Sequence, residues 1–311
     1  MSDTPDSVLL LAYGGPTGPD EIRPFLDGVL RGRPVPPARY DQVVRNYMAV
    51  GGASPINRLT MVQAEGLRAA LAAGGPALPV YVGMRHWDPF IAATLETMAR
   101  DGRRHAVGVI LAPHPSEVSR DSYVHAVDEA RVRLGPEAPV VDYVPAWSDH
   151  ALFVEAVAAR VSETLDTIPE PRRRDATLVF TAHSIPVPMA RASGYAEQVA
   201  KTAGLVCRRL GLGAWSIAYQ SRSGNPADPW LEPDILEALR TLAGRGVRDV
   251  VVVPVGFVSD HVEVLYDLDI AARETARGLG LGFHRAGTVG DHPVFLQLLA
   301  HLVRQAARIA P

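Results

Sequence analysis

The sequence predicts an α/β protein of two similar lobes, each a parallel β-sheet flanked by helices. Two observations carry this. Short β-branched runs alternate with amphipathic stretches of helical length, the rhythm of strand–helix–strand units whose sheets are covered on both faces. The two halves also repeat one plan: each opens on an apolar strand that ends in a polar or aromatic residue and continues into a loop rich in Gly, Pro and Ser. A chain of 311 residues suits two domains of roughly 100 to 200 residues each. The expected division is 1–147 and 148–311, with a hinge near Pro145 to Asp149 and the last helix packing on the first lobe.

The first lobe's strands are read at SVLLLAY, PVYVGMRH, AVGVILAPH and VVDYV, and the second lobe's at TLVFTAHS, SIAYQS, DVVVVPVGF and a short LGFHR. Apolar residues recurring at three- and four-residue steps predict helices at Asp20–Leu30, Pro37–Met48, Asn57–Ala73, Asp88–Ala99 and Asp234–Ala243. The run PEPRRRD near Glu170 reads as an exposed loop that serves solubility.

Composition narrows the function. With 47% hydrophobic residues, 21% charged residues and a formal net charge of −3, the chain lacks the basic field a nucleic-acid binder needs. Its longest apolar stretch, Val250 to Val258, is about half the length of a membrane-spanning helix, and MSDTPDS is no signal segment, so a cytoplasmic location is expected. The lone Cys207 excludes an internal disulfide, a four-cysteine zinc site and a self-contained iron–sulfur cluster. Metal chemistry would fall to His, Asp, Glu or Tyr. No phosphate-binding glycine motif joins a strand to a helix, which disfavours nucleotide cofactors.

Ligands of open parallel sheets collect outside the carboxyl ends of the strands. Tyr13, His86, His114, His183, Gln220 and Glu263 are expected at such ends, around one cleft shared by the lobes. His183 follows TLVFTA and precedes Ser184 and Pro186, where the strand must stop. A neutral imidazole there can ligate Fe(II) or accept a proton, or it can simply be a structural strand-end residue. In SDHVEVLYDLD, Asp260, Glu263 and Asp267 are spaced to share one helix face. Asp260 and Glu263 also fit a capping arrangement, which leaves Asp267 unexplained. Ser54 in GGASP could meet an anion, although such glycine turns are ordinary. Arg31 and Arg33 could clamp carboxylates or form a solvated helix end. Trp230, on a long Gly- and Pro-punctuated loop, could line a flat ligand or wedge into an interface.

Taken together, LLAYGGP, GGASPIN, LAPHPSEVSRDSY, FTAHSIP, QSRSGNPADPWLEP and PVGFVSDHVEVLYD resemble the ferrochelatase family, the class II chelatases that insert Fe(II) into a porphyrin. The resemblance runs from about Val8 to His301 and leans toward the bacterial coproporphyrin-using branch. It implies two Rossmann-like lobes with the active-site cleft between them. It further implies that His183 and Glu263 handle metal and protons, converging across a gap wide enough for a flat tetrapyrrole. Asp267 would continue an acid line for iron, and Tyr13 would be an axial ligand. Arg31, Tyr47, Ser54 and Tyr123 would surround the propionate-bearing edge, and Trp230 matches the family's loop aromatic. The chain departs from the family at Ala271, where a further acid is common, and at Leu30 and near Asn46, where coproporphyrin-type relatives carry arginine. No permanently bound cofactor and no [2Fe-2S] cluster are implied. The partners implied are porphyrin and Fe(II), with transient contact with neighbouring haem-pathway enzymes, and the chain is expected to be a monomer. Protoporphyrin IX as substrate, insertion of cobalt or nickel into another tetrapyrrole, and a non-catalytic porphyrin carrier are the competing readings.

Overall fold

A computed structural model describes residues 4–75, 77–224 and 228–308. The chain forms two compact units. One takes in Met1–Ala112, Glu117–Ala146 and Asp291–Pro311, the other Pro113–Ser116 and Trp147–Gly290. Beside the expected packing of the last helix on the first lobe, the chain departs from a single crossing near residue 147 at Pro113–Ser116. Pro113–Ser116 joins the second unit because His114 is buried beside Phe153 and Tyr195, with its Nε2 3.0 Å from Thr202 Oγ1. The C-terminal stretch joins the first, where helix Pro293–Ala306 packs on helix Ile56–Gly74. That contact is close because Gly66 has no Cβ: one would overlap Leu296.

The first unit holds strands β1 (Ser7–Ala12), β2 (Val80–Met84), β3 (His105–Ile110) and β4 (Val140–Tyr143), all parallel and ordered β2-β1-β3-β4. The second holds β5 (Thr177–His183), β6 (Trp215–Gln220), β7 (Asp249–Val253) and β8 (Gly282–Arg285), ordered β6-β5-β7-β8. All eight lie on the runs read from sequence. In each sheet the chain steps from a central strand to one neighbour and then crosses to the other side, so successive crossovers cover opposite faces. The switch points fall between β1 and β3 and between β5 and β7, where a crevice opens at the carboxyl ends. Tyr13 follows β1 and His183 ends β5, so the two occupy corresponding places in their own sheets.

The predicted helices appear at Ile22–Leu30, Pro37–Ala49, Ile56–Gly74, Ile91–Arg100 and Ile235–Gly244. The fourth starts three residues later than expected, after an extended Phe90. Leu9, Leu11, Leu95 and Val127 centre the first core, and Val179, Val250, Val252, Leu239 and Leu268 the second. The PEPRRRD segment is not simply a solvated loop. Part of it forms the short helix Glu170–Arg173, and Arg172 Nε donates to the buried Asp249 Oδ2 at 2.7 Å, because a carboxylate sunk at the foot of β7 needs a cation. Among the described residues, no helix is long and apolar enough to cross a membrane.

Candidate functional site

The second unit's switch point carries the densest set of titratable groups. Strand β5 is buried from Thr177 to Ala182, and His183 is the first of its side chains to reach solvent. The chain is held beyond that point by the loop that follows β6. Ser184 N donates to Gln220 O (2.8 Å), Ser184 Oγ to Leu231 O (2.9 Å) and Leu231 N to Ile185 O (3.1 Å). Trp230 belongs to this clasp: its backbone bridges Pro186 and its ring lies against Gly224. Its indole Nε1 is buried with no acceptor among the described residues.

Two contacts define the imidazole. Nδ1–H of His183 donates to the Ser184 carbonyl at 2.5 Å, and Nε2 lies 3.5 Å from Glu263 Oε1. The first contact fixes the tautomer, so Nε2 is the basic nitrogen and the carboxylate is its neighbour. Burial opposes a charge on His183, yet Glu263, the Ser184 carbonyl and Asp267 outweigh it and raise its pKa above the usual histidine range. The expected meeting of His183 and Glu263 across a wide gap is corrected by this distance. The two stand side by side, because β5 and β7 are adjacent and both release their following loops at the same edge.

Glu263 is held through its backbone. His261 Nδ1 accepts from Glu263 N at 3.1 Å, and Gln220 Nε2 donates to Glu263 O at 2.7 Å. The cap is thus His261, not Asp260, whose carboxylate turns to Arg285. Burial lowers the His261 pKa, which keeps the capping lone pair free of a proton. Helix Val262–Val264 then widens into a π-helix over Leu265–Ala272. Val264, Leu268 and Ala272 are fully buried.

Of the three acids expected on one face, Asp260 precedes the helix and turns to Arg285, whereas Asp267 follows Glu263 by four residues and senses its charge. The Asp267 carboxylate accepts a short hydrogen bond from Ser221 Oγ, a residue with φ of 62° immediately after β6. Burial pushes the Asp267 pKa up to about 7, with Ser221 opposing and Glu263 adding to the rise. Among the described residues, no group of three or more His, Cys, Asp or Glu side chains is gathered closely enough to hold a metal ion. Of the expected metal-ligand set, His183, Glu263 and Asp267 are therefore not gathered into such a cluster, and Tyr13 belongs to the other unit. His183 pairs with Glu263, and Asp267 is engaged by Ser221.

In the first unit, Tyr13 is 39% exposed and leans on His86, with ring centroids 4.4 Å apart and planes tilted by 47°. Its carbonyl accepts from His86 N at 2.9 Å. Burial, with Arg85, Arg31 and Arg33 adding to it, brings the His86 pKa down to about 3, so the ring under Tyr13 stays neutral. Arg31 is exposed in a left-handed turn that ends helix Ile22–Leu30. Arg33 donates to the carbonyls of Leu30 and Val29, which is the helix-ending role. Tyr47 is buried edge-on to Phe25, and Tyr123 is buried with the Arg85 guanidinium 5.8 Å from its ring centre. Ser54 is buried against Gly15, and its Oγ accepts from Ile56 N at 3.4 Å. These residues thus take part in packing and helix ends as well as in any ligand edge. Sequence reading missed Ser221, His261 and Arg285. The serine stands beside the flagged Gln220, whereas nothing local distinguishes the arginine of a short edge strand.

The family model for ferrochelatase matches residues 5–307. The coproporphyrin III ferrochelatase of Nocardia farcinica is 42% identical over 308 residues, covering 96% of this chain and 88% of that protein. That of Mycobacterium marinum is 42% identical over 303 residues, covering 96% and 86%. Among solved structures, SirB from Bacillus subtilis with Fe3+ superposes with a TM-score of 0.63 at 13% identity, covering 97% of this chain and 95% of that one. A cobalt complex of the sirohydrochlorin chelatase SirB from Bacillus subtilis subspecies spizizenii gives 0.59 at 13% identity, covering 97% and 95%.

Proposed function

Because the chain belongs to the ferrochelatase family, we propose that it inserts Fe(II) into coproporphyrin III to give iron coproporphyrin in haem biosynthesis. The observation that carries the mechanism is the single basic nitrogen of His183 set 3.5 Å from Glu263. Metallation releases two pyrrole protons for each iron taken up. His183 Nε2 accepts the first, and the carboxylate of Glu263 stabilises the imidazolium that forms. General base help of this kind contributes roughly 100- to 10,000-fold. Asp267, with a pKa near neutrality and a serine hydroxyl on its carboxylate, is suited to take protons onward or to meet iron on its way in. Tyr13, seated on a neutral His86, is the proposed axial ligand, with Arg31, Tyr47, Ser54, Tyr123 and Trp230 placed around the porphyrin.

The protein is proposed to act in the cytoplasm as a monomer with no resident cofactor, and to pass product to neighbouring haem-pathway enzymes by transient contact. The lone Cys207 is buried, with its thiol pushed up to about 11 by that burial, which does not suit a cluster ligand. Mixing the protein anaerobically with Fe(II) and either coproporphyrin III or protoporphyrin IX tests the reading. Faster turnover of coproporphyrin III is expected. Spectral shifts without metalloporphyrin would make the chain a carrier, and preference for protoporphyrin IX would overturn the substrate assignment.

A further inference from the structure

Glu263 and Asp267 lie on a ten-residue span bounded by two further acids, Asp260 and Asp269. Both boundary carboxylates meet Arg285, the last residue of β8. Nε and Nη2 of Arg285 donate to Asp269 Oδ1 and Oδ2 at 2.8 Å each, a two-bond fork. Nη1 and Nη2 reach Asp260 at 3.2 and 3.4 Å, and Nη1 also reaches Ala286 O at 3.4 Å. Every donor of the guanidinium is thereby used. The side chains of Arg285, Asp260 and Asp269 are 14%, 26% and 24% exposed, so this is no solvated surface pair. Asp269 also meets the more exposed Arg273 at 3.3 Å, whereas the ion pair seen for Asp260 among the described residues is the one to Arg285.

We propose that Arg285 is a positioning residue for metal insertion: by drawing Asp260 and Asp269 to one guanidinium it fixes the span between them, and with it the carboxylates of Glu263 and Asp267. The inference rests on the ferrochelatase reading. Val264 and Leu268 anchor the inner side of the span in the core. On the other side its ends are tied ionically, across the junction where α winding becomes π. Without the cation, the partly buried Asp260 would lose its ion pair and Asp269 would keep only the more exposed Arg273, so the two carboxylates would repel and drive the ends apart. A displacement of about 1 Å at a reacting group is enough to cost up to ~100-fold in rate.

The test compares Arg285→Met and Arg285→Lys with the wild-type chain, measuring kcat and KM for coproporphyrin III and Fe(II) well below each melting temperature, and porphyrin affinity by fluorescence. The expected result is a roughly tenfold or greater fall in kcat for Arg285→Met, with porphyrin KM and affinity within about twofold of wild type. Arg285→Lys, which keeps the charge but loses the fork, should fall between the two. A purely structural role would lower the melting temperature and leave kcat unchanged, and that outcome overturns the proposal. Should Arg285→Met fail to fold, Asp260→Asn, which leaves the Arg285–Asp269 fork in place, carries the test: an unaltered kcat there overturns it equally. A wild-type chain that makes no metalloporphyrin sinks the functional reading instead, so the two failures are distinct.

Discussion

The Nδ1–H of His183 is committed to the Ser184 carbonyl, so a proton arriving at the imidazole can settle only on Nε2, beside Glu263. His183→Ala should therefore lower kcat by at least ~100-fold while coproporphyrin binding, followed by fluorescence, stays nearly unchanged. Equal turnover would remove this histidine from the chemistry. Asp267 gives a second prediction. Its folded pKa is raised from 3.8 to about 7, so the native state holds a proton that the unfolded state has released across that window. The stability this confers is full below pH 3.8 and is lost as pH rises through about 7. Asp267→Asn should remove that component, so its melting temperature relative to wild type should rise between pH 5 and 8; a constant difference would contradict the buried, protonated carboxyl. The difference measurement cancels the opposite trend from residues such as His86 and His114, which must charge in acid. At this scale, His183 and Glu263 were legible because strand endings are written locally in TLVFTAHSIP and VPVGF. Arg285 and the cap at His261 were not, since their meaning comes from partners brought near by folding.

Among the elements, the loop after β7 matters as much as the strands it follows. Gly256 N donates to Thr181 O at 3.0 Å, and a Cβ at Gly256 would lie 2.7 Å from the Ala182 Cα and Cβ. Two backbones touch there, one residue before His183. Gly256→Ala should push the loop carrying Glu263 away from β5, at a cost of ~1–3 kcal/mol in stability. The kcat should fall further than the porphyrin affinity. Denaturant unfolding together with kinetics checks this, and a fully active variant would show that the approach is not tight. The strands were readable because each buried run is bounded by turn residues. The π-helix was not: its acids were placed by α-helical spacing, and the four-residue step of Val264, Leu268 and Ala272 fits either winding.

For the molecule as a whole, the common strand order of the two sheets makes Tyr13 and His183 counterparts at the ends of central strands. That much followed from the strand–helix rhythm. The place of Pro113–Ser116 in the second unit did not, because His114 is buried beside Phe153 and Tyr195, partners about forty and eighty positions along the chain and beyond the reach of local patterns. Phe295, on helix Pro293–Ala306 of the first unit, is fully buried. Phe295→Ala should cost ~3–5 kcal/mol, with hydrogen-exchange protection lost first at β1 to β3; equal losses at β5 to β7 would deny the unit its separate core.

The same return of the C-terminus dictates an order of assembly at the ribosome. The unit whose strands are made first lacks its closing helix until Pro293–Ala306 emerges, while the stretch Trp147–Gly290, which forms most of the other unit, is made before it. Domains fold as they become available during synthesis. The half carrying His183 and Glu263 can thus mature first, and the half carrying Tyr13 finishes only once helix Pro293–Ala306 is available to it.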